Sequence, residues 1–221
     1  MTVKLIATAA ALAFAGSAAH AQADAGKFRF GITGGTLGIG PEVSLRFAER
    51  FGVRGSATFF NYDRDETIED IAYNGKLKLN NYGGTVDVYP FAGGFRISGG
   101  ARIVDSSVRL RASPTQAVEV GDVRYTPAQI GTLSGTVRPK DFAPTATIGF
   151  GGNMRPGFNI SFDVGVMFQG SPQIENLNAT GVLANDPQFR ASLEREEAEI
   201  EDDISGFKYY PIVQLSLGYR F

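Results

Sequence analysis

The last nine residues of the chain, VQLSLGYRF, alternate between apolar and polar side chains without a break. Successive side chains of a β-strand point to opposite faces, so a period of two puts every apolar residue on one face. The apolar residues are Val213, Leu215, Leu217, Tyr219 and Phe221. The pattern predicts a final strand with one apolar face, and it leaves open whether that face meets a protein core or lipid.

The same alternation recurs in seven earlier segments of the chain. Five of them are clear in the letters KFRFGIT, TLGIGPEVSLRF, FGVRGSATFF, FRISGGARI and FNISFDVGVMF, and two weaker ones cover 82–89 and 142–150. Leu77 and Leu79 have the opposite parity to Val86, which predicts a β-bulge near residues 80–83. Eight strands are therefore expected, and the rest of the chain connects them.

The connections between these strands alternate in length. Three are short, with the letters AER, PFAGG and GGNMRPG, and three are long, at 62–76, 105–141 and 169–207. Short turns on one side and long loops on the other are typical of outer-membrane barrels. The sequence predicts an all-β fold, a transmembrane antiparallel up-and-down β-barrel of eight strands. A ten-stranded barrel with an extra hairpin inside 105–141 is the alternative.

Aromatic residues collect at both ends of the expected strands, as they do at the two interfaces of a membrane. The short-turn end carries Phe47, Phe51, Tyr89, Phe95, Phe150, Phe158, Tyr219 and Phe221. The long-loop end carries Phe59, Phe60, Tyr62, Phe142, Phe168, Tyr209 and Tyr210. If the last strand descends to a periplasmic carboxy terminus, every short turn is periplasmic and every long loop is extracellular.

The amino terminus has the pattern of a secretory signal peptide. Lys4 precedes an apolar stretch at 5–15, and small residues allow cleavage after Ala21 or Ala23. Residues 1–23 are therefore expected to be removed, leaving 24–221 as a single barrel domain. The remaining chain has no apolar run near the ~20 residues of a membrane helix.

The residue types that are missing limit the chemistry. The chain has no cysteine, and its one histidine, His20, lies in the predicted signal peptide. General acid–base catalysis near neutral pH favours histidine, and thiolate metal sites need cysteine. We expect no enzyme activity, no cofactor and no metal site. The net charge of −2 gives no reason to expect nucleic-acid binding.

Charged side chains at the inward parity are the candidate functional residues. They are Glu42, Arg46, Arg54, Asp87, Arg96, Arg102, Asp163 and Arg220. Side chains just fill the interior of an eight-stranded barrel, which favours a packed core of ion pairs. The alternative is a narrow pathway whose arginine excess would favour anions.

The last long loop contains an acidic helix in DPQFRASLEREEAEIEDDISGF. Asp186 is the expected N-cap, Pro187 the first helical residue and Gly206 the stop signal. The apolar face is expected to pack over the barrel mouth while the acidic face meets solvent. A lid, or a divalent-cation contact that bridges to lipopolysaccharide phosphates, is the alternative.

Two resemblances support this interpretation. The segment Gly218-Tyr219-Arg220-Phe221, with the alternating residues before it, resembles the carboxy-terminal assembly signal of Gram-negative outer-membrane proteins. The layout is similar to small barrels of the OmpA transmembrane-domain and OmpW type. GTLGIGPE, VDVYPFAGGFRISGGAR and FAPTATIGFG also resemble a widespread group of proteobacterial barrels.

The resemblance implies location in the outer membrane of a Gram-negative bacterium. It implies contact with outer-membrane lipid, lipopolysaccharide and the barrel assembly machinery, and an extracellular partner is possible. The expected role is non-enzymatic, structural or in surface interaction. The alternative is a narrow channel or porin for small, anionic solutes.

Overall fold

A computed structural model describes residues 28–68, 71–151 and 154–221. The predicted signal peptide, 1–23, and both cleavage positions lie outside the described residues. The described part contains thirteen strands and two helices. The strands are β1 Phe28–Gly35, β2 Gly38–Ala48, β3 Phe51–Ile68, β4 Ile71–Val88, β5 Phe95–Val104, β6 Ser107–Ser113, β7 Val118–Val120, β8 Val123–Tyr125, β9 Leu133–Arg138, β10 Phe142–Phe150, β11 Gly157–Phe168, β12 Gln173–Ala179 and β13 Tyr209–Arg220. The helices are α1 Pro127–Ile130 and α2 Pro187–Ile204.

Eight of the strands close into a ring in the order β1, β2, β3, β4, β5, β10, β11 and β13. Each neighbouring pair is antiparallel, and β13 pairs back onto β1 through Phe30 opposite Tyr219. Closure gives the ring no unpaired edge. The predicted all-β up-and-down barrel of eight strands is confirmed. The ten-stranded alternative is wrong, because the additional strands of 105–141 do not enter the ring.

The ring strands alternate between exposed apolar and buried side chains. In β10, the exposed residues Phe142, Ile148 and Phe150 have one parity, and the buried residues Ala143, Thr145 and Thr147 have the other. The outer surface of the barrel is therefore apolar, and most of the buried interior is polar. This distribution is the reverse of a soluble protein and matches a barrel whose outer face meets lipid.

The β3–β4 hairpin is longer than expected. The two strands stay in one continuous register from Phe51 opposite Val88 to Ile68 opposite Ile71. Residues 62–68 and 71–76, expected to form a loop, are therefore parts of β3 and β4, and the bulge expected near 80–83 is absent. Leu77 and Leu79 keep the inward parity of Asn81, and they are apolar because that face meets other apolar side chains above the barrel mouth.

A second structure, here called the head, extends from the upper part of this hairpin. Eighteen residues per strand span about 60 Å, twice the ~30 Å hydrocarbon core of a bilayer. The lower part of β4 pairs with β5, and its upper part, from Ala72 to Lys78, pairs with β6. Strands β9 and β12 then extend the sheet. The head comprises this extension, the upper part of the hairpin, β7, β8, α1 and α2.

Most of the connections at 105–141 and 169–207 thus fold into the head. The rim where β4, β5 and β6 diverge is held by Asp105, which accepts hydrogen bonds from Lys78 at 2.7 Å and from Asn80 at 3.3 Å. The hydrogen bond from the Lys78 ammonium lowers the pKa of Asp105 below its usual range. Asp105 therefore carries its negative charge at neutral pH, where it pairs with Lys78.

The helix predicted in the last loop is α2, and its predicted N-cap is confirmed. The Asp186 carboxylate accepts hydrogen bonds from the backbone N–H groups of Gln188 and Phe189. Phe189 and Leu193 pack into a separate apolar core of the head, which also contains Val120, Tyr125 and Ile130. No helix among the described residues is long and apolar enough to cross a bilayer.

The acidic face of α2 is only partly solvated. Glu196 accepts a hydrogen bond from the backbone N–H of Gly121 at 2.9 Å, and Glu201 accepts one from that of Ile174 at 2.8 Å. These two carboxylates fasten the helix to the β7–β8 hairpin and to β12. They help to hold the head together.

Two of the expected interfacial aromatic residues point inward instead. Tyr89 lies in the turn after β4 and is 3% exposed, and Tyr210 in β13 packs against apolar residues inside the barrel. Tyr89 has the inward parity of Asp87 and continues the alternation one residue beyond the end of β4. Tyr210 has the inward parity of Ile212.

Inward glycines make room for long charged side chains. A Cβ on Gly149 would lie 2.8 Å from the Phe162 carbonyl oxygen and would meet the Asp163 carboxylate. A Cβ on the outward-facing Gly99 would meet nothing within 4 Å. The two positions lie on neighbouring strands and differ in which face they occupy.

We expect Gly149→Ala to destabilise the barrel by roughly 1–3 kcal/mol, because the added methyl group overpacks the interior. Gly99→Ala is the matched control and should be neutral or slightly stabilising, because glycine is itself unfavourable in a strand. The measurement is the urea midpoint of protein refolded in lipid vesicles, followed by circular dichroism. Equal midpoints for the two variants would contradict the packing described.

Candidate functional site

The structure places all eight inward charges of the sequence analysis inside the barrel. They are buried or partly buried: Glu42, Arg46, Arg54, Asp87, Arg96, Arg102, Asp163 and Arg220. Sequence reasoning missed Arg29, which is 2% exposed. Its signal was available, since Arg29 sits between Phe28 and Phe30 at the inward parity of β1. Six arginines and three carboxylates therefore share the interior among the described residues.

Arg54 is the centre of the ion-pair network. Its guanidinium lies 2.6 Å from Asp163, 3.2 Å from Asp87 and 3.7 Å from Glu42, with all four side chains at most 10% exposed. The three carboxylates come from β11, β4 and β2. One cation on β3 thus ties together strands on different sides of the ring.

Two further arginines complete the network. Arg96 holds Asp163 with two contacts, at 2.5 and 3.1 Å, and also donates to the Gly151 carbonyl at 3.2 Å. Arg29 contacts Glu42 at 2.6 Å and also donates to Asn159. Paired, hydrogen-bonded contacts of this kind are what a buried charge requires.

The short-turn end of the interior is closed by Arg46. Its guanidinium lies 3.8 Å from the centre of the Tyr89 ring and donates to the carbonyls of Gly93, Ala92 and Glu49. Arg220, 1% exposed, is buried at the same end of β13. The stacked guanidinium of Arg46, which is 1% exposed, and the folded turn after β4 therefore fill this end of the interior.

The loop end of the interior is closed by an apolar layer. It consists of Leu37, Val104, Ala143, Met167 and Ile212, each at most 2% exposed, with Tyr210 packed against them. Leu37 has the same parity as Ile39 and Val43, which predicts an outward direction. It instead occupies the tight turn between β1 and β2, and its carbonyl accepts hydrogen bonds from Thr58 and Asn81. Those bonds hold the turn folded over the mouth.

Arg102 lies one inward position below this layer and is paired differently from Arg54. Both terminal nitrogens donate to the Ser56 hydroxyl at 3.2 Å. No described carboxylate forms an ion pair with it. Around it, a cavity of about 20 Å³ is enclosed by polar side chains. The interior is thus a packed, layered core with room for little more than one small ligand or water.

Two apolar spaces lie above the apolar layer. One, about 300 Å³, lies between the barrel mouth and the head and reaches Leu37, Met167 and Tyr210. The other, about 340 Å³, lies inside the head between its sheet and α2. In the part of the chain that the structure describes, no cluster of acidic or histidine side chains could hold a metal ion.

The expected assembly-signal residues lie on the exposed face of β13: Val213, Leu215, Leu217, Tyr219 and Phe221.

Comparisons with known proteins agree with the fold. No protein-family model and no curated protein matches the chain. Among solved structures, CarO2 of Acinetobacter baumannii is similar, with a TM-score of 0.58 and 17% identity over 88% of this chain and 98% of that chain. CarO of the same organism gives 0.56 and 16% identity over 90% and 99%. At this identity the likeness supports the barrel fold, and the OmpA or OmpW subtype stays a prediction.

We expect Asp163→Asn to destabilise the barrel by roughly 3–5 kcal/mol, because it leaves Arg54 and Arg96 without their shared counter-charge in a buried site. The matched control is Asp63→Asn, which is the same substitution at an exposed ion pair. Asp63 contacts Lys76 at 3.4 Å with both side chains half-exposed or more, so its loss should cost less than about 1 kcal/mol. Urea midpoints in lipid vesicles measure both, and similar losses would contradict a central network.

Proposed function

We propose that this chain is an outer-membrane β-barrel protein of a Gram-negative bacterium with a non-enzymatic, structural and surface-interaction role. In this proposal the barrel is a closed membrane anchor, and the head is the part that engages lipopolysaccharide or an extracellular partner. The barrel assembly machinery would recognise the alternating residues that end at Phe221.

The single observation that carries the proposal is the closure of the interior in three successive layers. Arg46 on Tyr89 fills the short-turn end, the ion pairs around Arg54 fill the middle, and the apolar layer that includes Leu37 fills the loop end. A solute would have to displace all three. A barrel built in this way favours anchoring over transport.

The outer surface supports the membrane location. Apolar residues cover the outward face of the ring strands, and the 8–12 residues of all ring strands except β3 and β4 suit the 9–11 residues needed to cross a bilayer. The absence of histidine from 24–221 supports a non-enzymatic role.

An anion-selective channel is the second candidate. It is favoured by the six interior arginines against three carboxylates, since an excess of fixed positive charge attracts anions. It requires the apolar layer to move aside, because that layer separates the polar interior from the mouth.

Conductance separates the two candidates. We expect protein refolded into a planar bilayer to give no discrete current steps, because the interior is occluded. Steps whose reversal potential in a salt gradient shows anion selectivity would contradict the anchor and support the channel. As a second comparison, Arg96→Ala should abolish heat-resistant folding if Arg96 is structural, whereas a change of selectivity would place it in a pathway.

The orientation of the barrel in the membrane is tested by labelling single introduced cysteines. The sequence contains no other cysteine that could react. We expect Val182→Cys, in the loop before α2, to react with a membrane-impermeant maleimide on intact cells. Phe91→Cys, in the turn between β4 and β5, is the matched control and should react only after the outer membrane is opened, since both side chains are about equally exposed at 80% and 78%. The reverse result would invert the proposed topology.

A further inference from the structure

The small cavity beneath the apolar layer is lined by members of the ion-pair network and by polar side chains that have no partner in that network. Its walls include Arg102, Arg54, Glu42, Asp163, Thr33, Thr145, Thr147 and Gln214. Ile212 belongs both to its lining and to the apolar layer above, so the cavity lies directly under that layer. It is therefore shielded from the mouth.

The two carboxylates in the cavity wall are already paired. Asp163 contacts Arg54 and Arg96, and Glu42 contacts Arg29 at 2.6 Å and Arg54 at 3.7 Å. Arg102 has only the Ser56 hydroxyl as a hydrogen-bond partner in the described chain, and its Nε has none. A positive charge held away from bulk water without a direct ion pair is costly, even with the carboxylates of Glu42 and Asp163 in the same cavity wall.

Four neutral side chains in the same wall are buried without partners. Among the described residues, the hydroxyls of Thr33, Thr145 and Thr147 and both polar atoms of the Gln214 amide make no hydrogen bond, although each side chain is at most 8% exposed. Buried polar groups are normally satisfied by protein or by a bound species. These hydroxyl and amide groups converge with Arg102 on one cavity, and all of them can donate.

We infer that this cavity binds a halide-sized anion, with chloride as the natural candidate, as a structural counter-ion of the barrel. Hydroxyl and amide donors beside an arginine that lacks an ion pair suit an anion. A water molecule would satisfy the hydroxyls but would still leave Arg102 without an ion-pair partner. A volume of about 20 Å³ admits a monatomic ion and excludes larger polyatomic anions.

The site differs in kind from an anion pathway. An ion bound beneath Ile212 and the apolar layer is retained, and it stabilises the native state by binding that state alone. The inference does not rest on the proposed surface role, since a silent barrel and a conducting barrel would both contain the cavity. The conductance experiment tests the proposed function, and the halide dependence of stability tests the anion site. Either claim can therefore be contradicted without the other.

The test compares the urea midpoint of the barrel, refolded in vesicles of zwitterionic phosphatidylcholine, in potassium chloride and in potassium gluconate at equal ionic strength. We expect the midpoint to rise and saturate with chloride. The unfolding constant should fall about tenfold when chloride reaches ten times its dissociation constant. No difference between the two salts would overturn the inference.

Variants locate the effect. Arg102→Gln should lose the chloride dependence, and Arg109→Gln, which removes an exposed arginine of the head, should keep it. If Arg102→Gln does not fold, Thr145→Val tests the same site. Because the Thr145 hydroxyl has no described protein partner, the valine should raise stability in gluconate and reduce the response to chloride. An unchanged chloride response in Thr145→Val and in any folded Arg102→Gln would overturn the site.

Diffraction gives the position directly. In crystals grown with bromide, an anomalous peak between Arg102 and Thr145 is expected. A cavity that contains only water in those crystals would overturn the inference.

Discussion

The need to neutralise charge in a space without bulk water determines how this barrel is built. Arg54 meets that need by contacting carboxylates from three other strands, at 2.6, 3.2 and 3.7 Å. Such contacts form only when the ring is closed in its final register, because Asp163 lies 109 residues from Arg54 in the chain. Breaking one partner of a buried pair leaves an uncompensated charge, so the network favours one register over its neighbours.

Small and apolar residues fill the parts of the barrel interior that the ion pairs do not occupy. Inward glycines such as Gly149 leave space for the Asp163 carboxylate, and the Leu37 turn folds inward under hydrogen bonds from Thr58 and Asn81. The interior is consequently sorted into layers, with a stacked cation at one end, ion pairs in the middle and apolar side chains at the other end. Closure of the lumen is a result of this sorting.

The head is a separate folded unit above the closed barrel. Its sheet is an outgrowth of the β3–β4 hairpin, and its core around Phe189 is separate from the apolar layer inside the ring. Glu196 and Glu201 fasten α2 across it by accepting backbone hydrogen bonds. A partner of this protein would therefore meet a folded, ordered surface rather than three independent loops.

The sequence alone determined the barrel, because period-two alternation is local and sets which side chains of each strand face inward. It was enough for the eight strands, the approximate positions of the turns after β2 and β4, the α2 cap at Asp186 and the interior position of charges such as Asp163. Only the tertiary structure decided which charges pair, that Arg102 forms no ion pair with a described carboxylate, that Leu37 folds inward, and that 62–68 and 71–76 continue as strands. The physical reason is that these features depend on contacts between residues far apart in the chain, which strand parity does not encode.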